Sequence, residues 1–294
     1  MPRVPIQIRL VLSVLLSCAG LAKADDPLPA PLRIQCVAAL KSLLSDAAPK
    51  LVEDGIKLKL VAGGASSDAF AALGGNRTDL ALTLRPMSGE ERAAYPEKTF
   101  QEFELGKQAV ALIIPEILWN NGIRTLTREQ AEGIYERQFT NWSQLGGPNR
   151  SIQFLNPALG EGVWEMFAAW LYGDPAKAAA AHFQSVENSE TAAAAVQFNS
   201  GGLSVVYIRW ANQKDVFALP IKDDSGALIE PSFENIASGK YPLSRSIYLA
   251  VAGKPLGNRR RVIDFFTGKG GREILLHHDV IPTADLAGKG GSAK

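Results

Sequence analysis

The sequence predicts an α/β protein with mainly parallel sheets. Short apolar segments alternate with longer amphipathic ones along most of the chain, which is the pattern of strands joined by crossover helices. One segment, QAVALIIP at 108–115, is almost uniformly apolar, as expected for a strand that is covered on both faces. The composition, with 46% hydrophobic and 21% charged residues, is that of a globular protein rather than a disordered chain.

The first half of the chain shows this alternation most regularly. Three strands are predicted there, over LRIQCV (32–37), IKLKLVAG (56–63) and TDLALTL (78–84). The segment 40–55 has a helical pattern that Pro49 is expected to interrupt. The next helix is short, because Ser66 or Ser67 would cap its start and Gly74 and Gly75 would end it.

The second half of the chain continues the pattern. A helix is predicted over 127–137, where Thr127 and Gln130 have the spacing of a capping box. The alanine-rich segment 190–199 predicts another helix, and 259–278 predicts one long terminal helix. The strands expected here besides 108–115 are SIQFLN (151–156), GGLSVVYI (201–208) and RSIYLAVAG (245–253).

Residues 1–24 have the features of a cleaved secretory signal peptide. Arg3 and Arg9 precede an apolar run from Leu10 to Leu21, and AKA at 22–24 has the small-x-small form that signal peptidase cuts. The mature chain would then begin near Asp25 and be exported. An alternative is a lipoprotein, because Cys18 in LLSC follows a short apolar run and could carry a lipid.

Charge and motif content argue against several functions. The formal net charge of +1 is unlike the strongly basic surface of a nucleic-acid-binding protein. The sequence has no G-x-S-x-G motif and no complete dinucleotide-binding loop, so we expect neither catalytic residues nor a cofactor. The histidines are His182, His277 and His278. We expect no metal site, because an adjacent pair on a helix should not face one metal ion.

The stretch FLNPALGEGVWEMFAAW at 154–170 predicts a strand, a glycine turn and a helix. Gly160 and Gly162 would let an anion approach the unpaired N–H groups at the helix start. The turn could equally be a simple connection. The aromatic residues of this helix, Trp164, Phe167 and Trp170, recur at helical spacing and are expected to pack in the core rather than against a ligand.

Four segments together resemble the phosphate-type periplasmic solute-binding proteins, the phosphate-binding components of ABC transporters. The resemblance lies in the order and spacing of the four segments, since no single segment is specific to the family. The segments are VAGGASSDAFAALGGNRTDLALTLRPM (61–87), TLTREQAEGIYERQFTNWSQLGG (125–147), YPLSRSIYLAV (241–251) and VIDFFTGKGGREILLHHDVIPTA (262–284).

This resemblance implies a two-lobed periplasmic binding protein fold, type II-like, with a ligand cleft between the lobes. The chain would cross between lobes near Lys107 and Ser244. One lobe would contain residues 25–107 and 245–294, and the other residues 108–244. The family further implies a periplasmic protein that delivers a small anionic solute to an ABC transporter membrane component. Together with the charge and motif content, we expect a monomer that is not an enzyme and binds no nucleic acid.

Residue by residue, the family's anion-binding serine falls on Ser66, its aspartate on Asp79 and the arginine of its Arg-Pro pair on Arg85. Ser66 would donate its hydroxyl, and the N–H groups of Ser67 and Asp68 would donate as well. Asp79 could only accept a hydrogen bond, which favours a protonated oxyanion such as hydrogen phosphate. The alternatives are that the serines only cap a helix, that Asp79 pairs with a nearby arginine (Arg77 or Arg85), and that Arg85 binds backbone carbonyls.

The second half of the expected site departs from the family pattern. The family has an arginine a few residues before a Ser-Gly-Thr turn, and this chain has Asn156 and EGV (161–163) at those places. The ligand site is therefore expected around Asn156, Gly160 and Gly162, but in a degenerate form. Two functions remain open: capture of a small oxyanion or phosphorylated solute, and a scaffold that has lost phosphate binding and acts as an interaction or sensory module.

Overall fold

The computed structural model describes residues 30–157, 162–174 and 184–289. The predicted signal peptide, Cys18, Gly160, Glu161 and His182 lie outside these ranges. Within them, no helix combines the length and apolar character needed to cross a bilayer.

The strands are β1 (Leu32–Val37), β2 (Leu58–Gly64), β3 (Leu80–Thr83), β4 (Phe100–Pro115), β5 (Leu126–Thr127), β6 (Gln153–Pro157), β7 (Gln184–Val186), β8 (Gly202–Tyr207), β9 (Val216–Ala218), β10 (Ile221–Lys222), β11 (Leu228–Ile229), β12 (Ser244–Ala252) and β13 (Val280–Pro282). The helices are α1 (Lys41–Glu53), α2 (Ser66–Gly74), α3 (Gly89–Ala93), α4 (Glu116–Asn120), α5 (Arg128–Tyr135), α6 (Gly162–Tyr172), α7 (Ser189–Gln197), α8 (Phe233–Ala237), α9 (Asn258–Thr267), α10 (Lys269–His277) and α11 (Thr283–Lys289).

The fold is α/β with two lobes, and each lobe has a short parallel set of strands. In the first lobe β2, β1 and β3 are parallel neighbours, and in the second β7, β6 and β8 are parallel neighbours. Strand β12 runs antiparallel to β3 and to β4, and β4 runs antiparallel to β8. The sheets are therefore mixed rather than mainly parallel, because the sequence pattern reports which segments are strands but not their directions.

Strand β4 connects the two lobes. It pairs with β12 over Phe100–Ala109 and with β8 over Val110–Ile113. The sequence predicted only its buried second part, 108–115, because the first part carries polar residues on its partly exposed faces. The expected lobe boundaries, 25–107 with 245–294 and 108–244, stay a prediction.

Two predicted helices differ from the structure in their limits. Helix α1 continues through Pro49 without a break. The long terminal helix expected over 259–278 is two helices, α9 and α10, which are separated by Gly268. Gly268 has an extended backbone, and a Cβ at this position would lie 2.7 Å from the carbonyl oxygen of Asp264. A close approach that only glycine permits therefore ends α9.

The second lobe is built around buried aromatic side chains. Trp142 is fully buried, and its indole N–H donates to the carbonyl of Gly201 at 3.0 Å. Phe167 of α6 stacks on Phe154 of β6 with ring centroids 5.7 Å apart. This packing fixes α6 against the sheet. Because Phe154 and Asn156 are on the same face of β6, it also places the helix beside Asn156.

Candidate functional site

The loops that can form a binding site lie where the parallel strands end. The carboxyl ends of β1, β2 and β3 share one edge of the first sheet, since these strands are parallel. Helix α2 begins at this edge, directly after β2. In the second lobe, α6 follows β6 and α7 follows β7 in the same way. In open α/β sheets ligands bind at such edges, where helix N-termini meet strand ends.

Ser66 is at this edge, but neither it nor Ser67 caps α2. The residue that caps the helix is Ala65, and the carboxylate of Asp68 accepts the Ala65 N–H at 2.9 Å. The Ser66 hydroxyl instead accepts the backbone N–H of Leu84 at 3.2 Å, which ties α2 to the end of β3. Its hydrogen can still be donated to a ligand. The Asp68 N–H, expected to bind the anion, donates to the Ala65 carbonyl at 3.1 Å.

Asp79 is at the opposite edge of the sheet, which corrects its expected place beside Ser66. It comes immediately before β3, whereas Ser66 is level with the end of that strand. Its carboxylate accepts three hydrogen bonds from Arg33: from the backbone N–H at 2.8 Å, from Nε at 3.1 Å and from Nη2 at 2.8 Å. Asp79 does pair with an arginine, as one alternative predicted, but the partner is Arg33 rather than Arg77 or Arg85.

The hydrogen bonds from the Arg33 guanidinium hold the pKa of Asp79 below its usual value. We expect Asp79→Asn to lower the unfolding free energy at pH 7 by about 1 kcal/mol, since the pair is partly exposed to solvent. The stabilisation is fully present above the unfolded-state pKa of about 3.9 and is lost as the pH falls through the lowered folded-state pKa. Urea unfolding at pH 7 and pH 3 measures this. Asp224→Asn, at an exposed position, is the matched control, and anion affinity should not change in either variant.

Arg85 is at the carboxyl end of β3, as expected, but its guanidinium is already bound. Its Nη1 and Nη2 donate to the two carboxylate oxygens of Glu91 at 2.8 and 2.7 Å. This pair lowers the pKa of Glu91 to about 2. Nη1 also donates to the carbonyl of Pro86 at 3.0 Å, and the guanidinium lies over the ring of Phe70. A ligand would therefore have to compete with Glu91 for Arg85.

On the second lobe, Asn156 and Gly162 flank the start of α6. Asn156 is 5% exposed, and its Oδ1 has no hydrogen-bond partner within the part of the chain that the structure describes. Gly162 is the first residue of α6. A Cβ at this position would lie 2.5 Å from the hydroxyl of Tyr207 and 3.1 Å from Nη2 of Arg245. Tyr207 and Arg245 thus closely approach the N-terminus of this helix.

Arg245 is the functional candidate that the sequence analysis missed. Its side chain, on β12, is 17% exposed. Nε and Nη2 donate to Oε1 of Gln108 at 3.0 and 2.9 Å, and Nη1 lies 3.7 Å from a carboxylate oxygen of Glu165. Burial lowers the pKa of Arg245, and the nearby Tyr207 and Glu165 oppose this shift. The sequence feature that could have indicated it is an arginine at the start of a largely apolar strand segment, RSIYLAV.

The Arg245 side chain faces a cavity of about 380 Å³ between the lobes. Leu84, whose N–H is bonded to Ser66, lines this cavity from the first lobe. The remaining lining residues belong to α6 and to the segment that leads into β12: Glu165, Met166, Ala169, Trp170, Pro242, Leu243 and Ser244. A second cavity, of about 480 Å³, is lined by Val163 of α6 and by Tyr207, among others.

This arrangement suits a small anion with a single negative charge. A buried guanidinium and the positive end of the α6 dipole both attract negative charge. The Asn156 oxygen, which has no partner within residues 30–157, 162–174 and 184–289, is an acceptor, so a protonated group could donate to it. Glu165 in the first turn of α6 partly cancels the charge of Arg245. The site therefore combines one cation with one nearby carboxylate.

The histidines require one correction. Adjacent histidines were expected not to face one metal ion, but nitrogen atoms of His277 and His278 and a carboxylate oxygen of Asp46 all lie within 4.8 Å of one another. The two rings converge because α10 ends at His277 and His278 adopts a non-helical backbone after it.

Comparison with known proteins identifies a family and several similar proteins. Residues 22–268 match the family model described as PBP superfamily domain. The phosphate-binding protein PstS of Staphylococcus saprophyticus is 26% identical over 198 residues, which are 64% of this chain and 59% of that protein. The chain thus aligns with less than two thirds of that relative's length.

Two solved structures share the fold. An ABC-type phosphate transport receptor from Vibrio cholerae superposes with a TM-score of 0.64 at 21% identity, over 85% of this chain and 99% of that one. A possible phosphate binding protein from Planctomyces limnophilus gives a TM-score of 0.75 at 18% identity, over 88% of this chain and 95% of that one. At these identities the likeness concerns the two-lobed fold alone.

Proposed function

The chain belongs to the PBP superfamily, and we propose that it is an exported, periplasmic solute-binding protein that captures a small oxyanion or a phosphorylated solute. The ligand binds between the lobes, at the N-terminus of α6. The protein then presents the ligand to the membrane component of an ABC transporter and catalyses no reaction itself. The relatives described as phosphate-binding proteins and the ABC-type phosphate transport receptor support this class of function.

The observation that carries the proposal is Arg245. A buried guanidinium is costly unless it serves a structural or binding role, because the charged form loses its hydration. Gln108 satisfies two of its N–H groups, while Glu165 lies beyond ordinary hydrogen-bond distance from Nη1. An oxyanion at the start of α6 would bind Nη1 and the helix N–H groups together. The residue would thus replace the cation that Asn156 does not provide.

A thermal-shift panel of oxyanions and phosphate esters tests the proposed function. A ligand present at about 100 times its dissociation constant should raise the unfolding free energy by about 2.7 kcal/mol. Phosphate, sulfate, small carboxylates and sugar phosphates should be compared at equal ionic strength, with chloride as the control. If no solute in the panel stabilises the protein, the scaffold that has lost its ligand becomes the better explanation.

The serines at the start of α2 provide a second test of the site. We expect the double variant Ser66→Ala, Ser67→Ala to weaken the binding of the stabilising anion, because each lost neutral donor costs about 0.5–1.5 kcal/mol. Isothermal titration calorimetry measures the change. Ser45→Ala is a suitable control, because this hydroxyl bonds within α1 to the carbonyl of Lys41. Unchanged affinity in the double variant would leave Ser66 with only its bond to Leu84.

A further inference from the structure

Asp46, His277 and His278 meet on the surface where α1 packs against the end of α10. Nε2 of His278 lies 2.8 Å from Oδ2 of Asp46. The rings of His277 and His278 are nearly perpendicular, with centroids 5.2 Å apart. From each residue one ligand atom lies within 4.8 Å of the other two. We propose that these three side chains bind a divalent transition-metal ion, distinct from the anion site at α6.

The chemistry of the donors selects the class of metal. Two imidazole nitrogens and one carboxylate oxygen suit Zn²⁺, Cu²⁺ and Ni²⁺, whereas Mg²⁺ and Ca²⁺ prefer oxygen ligands. Tetrahedral Zn²⁺ with bonds of about 2.0–2.1 Å holds its ligand atoms about 3.4 Å apart. The Asp46 and His277 side chains are exposed and can rotate to close the remaining distance. Water would complete the coordination on the solvent side.

The backbone around the three residues is held in place by other contacts. The His278 N–H donates to carbonyls in the last turn of α10, and its own carbonyl accepts the side-chain N–H of Gln108 at 3.0 Å. One turn along α1 from Asp46, Lys50 forms an ion pair with Glu273 of α10 at 3.6 Å. Buried residues of α1 and α10 also belong to one hydrophobic core cluster, so the two helices are held beside each other before a metal binds and the site requires only side-chain movement.

Calorimetric titration of the tag-free chain with ZnCl₂ tests the site, with MgCl₂ as the control metal. We expect one equivalent of Zn²⁺ to bind and Mg²⁺ to give no heat. Loss of an outer-shell partner typically weakens metal binding 10–100-fold, so the double variant His277→Ala, His278→Ala should bind Zn²⁺ at least about a hundredfold more weakly. Asp46→Ala should weaken it at least about tenfold.

The control variants are Asp54→Ala, an exposed acid directly after α1, and His182→Ala, the third histidine of the chain. Both should bind Zn²⁺ as the original chain does. The imidazole NMR signals of His277 and His278 should shift on Zn²⁺ addition while those of His182 do not. The site is wrong if the original chain does not bind Zn²⁺, or if either the double variant or Asp46→Ala retains its full affinity. Melting in EDTA shows that the variants remain folded.

Discussion

Arg245→Met is expected to lower the affinity for the bound anion at least a hundredfold. The anion would lose charge-assisted hydrogen bonds worth about 1.5–3 kcal/mol each, and every 1.4 kcal/mol is a tenfold change in affinity. Methionine keeps much of the length of the arginine stem, so the space that the stem occupies beside α6 stays filled. Arg245→Lys should recover part of the affinity, because it restores the charge but not the planar pair of donors. Calorimetric titration with the best anion of the thermal-shift panel measures all three proteins.

The matched control is Arg85→Met, which makes the same chemical change at a guanidinium that Glu91 already binds through both nitrogens. It should change the anion affinity little. The opposite result, a large loss with Arg85→Met and none with Arg245→Met, would move the anion site from α6 to the end of β3. Because the amide oxygen of the buried Gln108 loses its partner in Arg245→Met, urea unfolding must show that each variant is folded at the titration temperature.

Local signals in the sequence predicted the secondary structure well. The capping box of α5 is present, with Gln130 N–H donating to Thr127 Oγ1 at 3.1 Å and Thr127 N–H donating to Gln130 Oε1 at 2.9 Å. Such signals depend on residues a few positions apart, so they can be read without the fold. The end of α9 at Gly268 is harder, because it depends on a carbonyl contact that glycine alone tolerates.

The candidate site was harder to predict because its residues are far apart in the chain. Arg245 and its partner Gln108 are 137 positions apart, and only the antiparallel pairing of β12 with β4 brings them together. Asp79 illustrates the opposite case. It is near Arg85 in the sequence, but the length of β3 separates the two residues, and Arg33 of the neighbouring strand binds its carboxylate. A motif alone does not show which end of a strand a residue occupies.

Inorganic phosphate is expected to bind much more weakly than a monoanion of similar size. At pH 7 phosphate carries between one and two negative charges. Arg245 is the cation identified at α6, and its neighbour Glu165 repels the ligand. Two unit charges about 4 Å apart interact by about 1 kcal/mol in water and about 4 kcal/mol at an effective dielectric constant of 20. The affinity for phosphate should therefore rise as the pH is lowered from 8 to 6. Tight stoichiometric binding of phosphate at pH 8 would contradict this expectation.

Introducing a cation at position 156 should increase the affinity for phosphate relative to a monoanion. Asn156 is buried beside α6, and its side-chain oxygen has no hydrogen-bond partner among the residues that the structure describes. The double variant Asn156→Arg, Glu161→Ser replaces that amide with a guanidinium and removes a carboxylate that comes just before α6 in the sequence. Added charge-assisted hydrogen bonds of about 1.5–3 kcal/mol each should increase phosphate affinity at least tenfold. Val163 is best left unchanged, because its side chain packs in the core. Glu161→Ser alone separates the two contributions. If the double variant is folded and gains no affinity for phosphate, positions 156 and 161 do not contact the ligand, and Arg245 binds its anion without them.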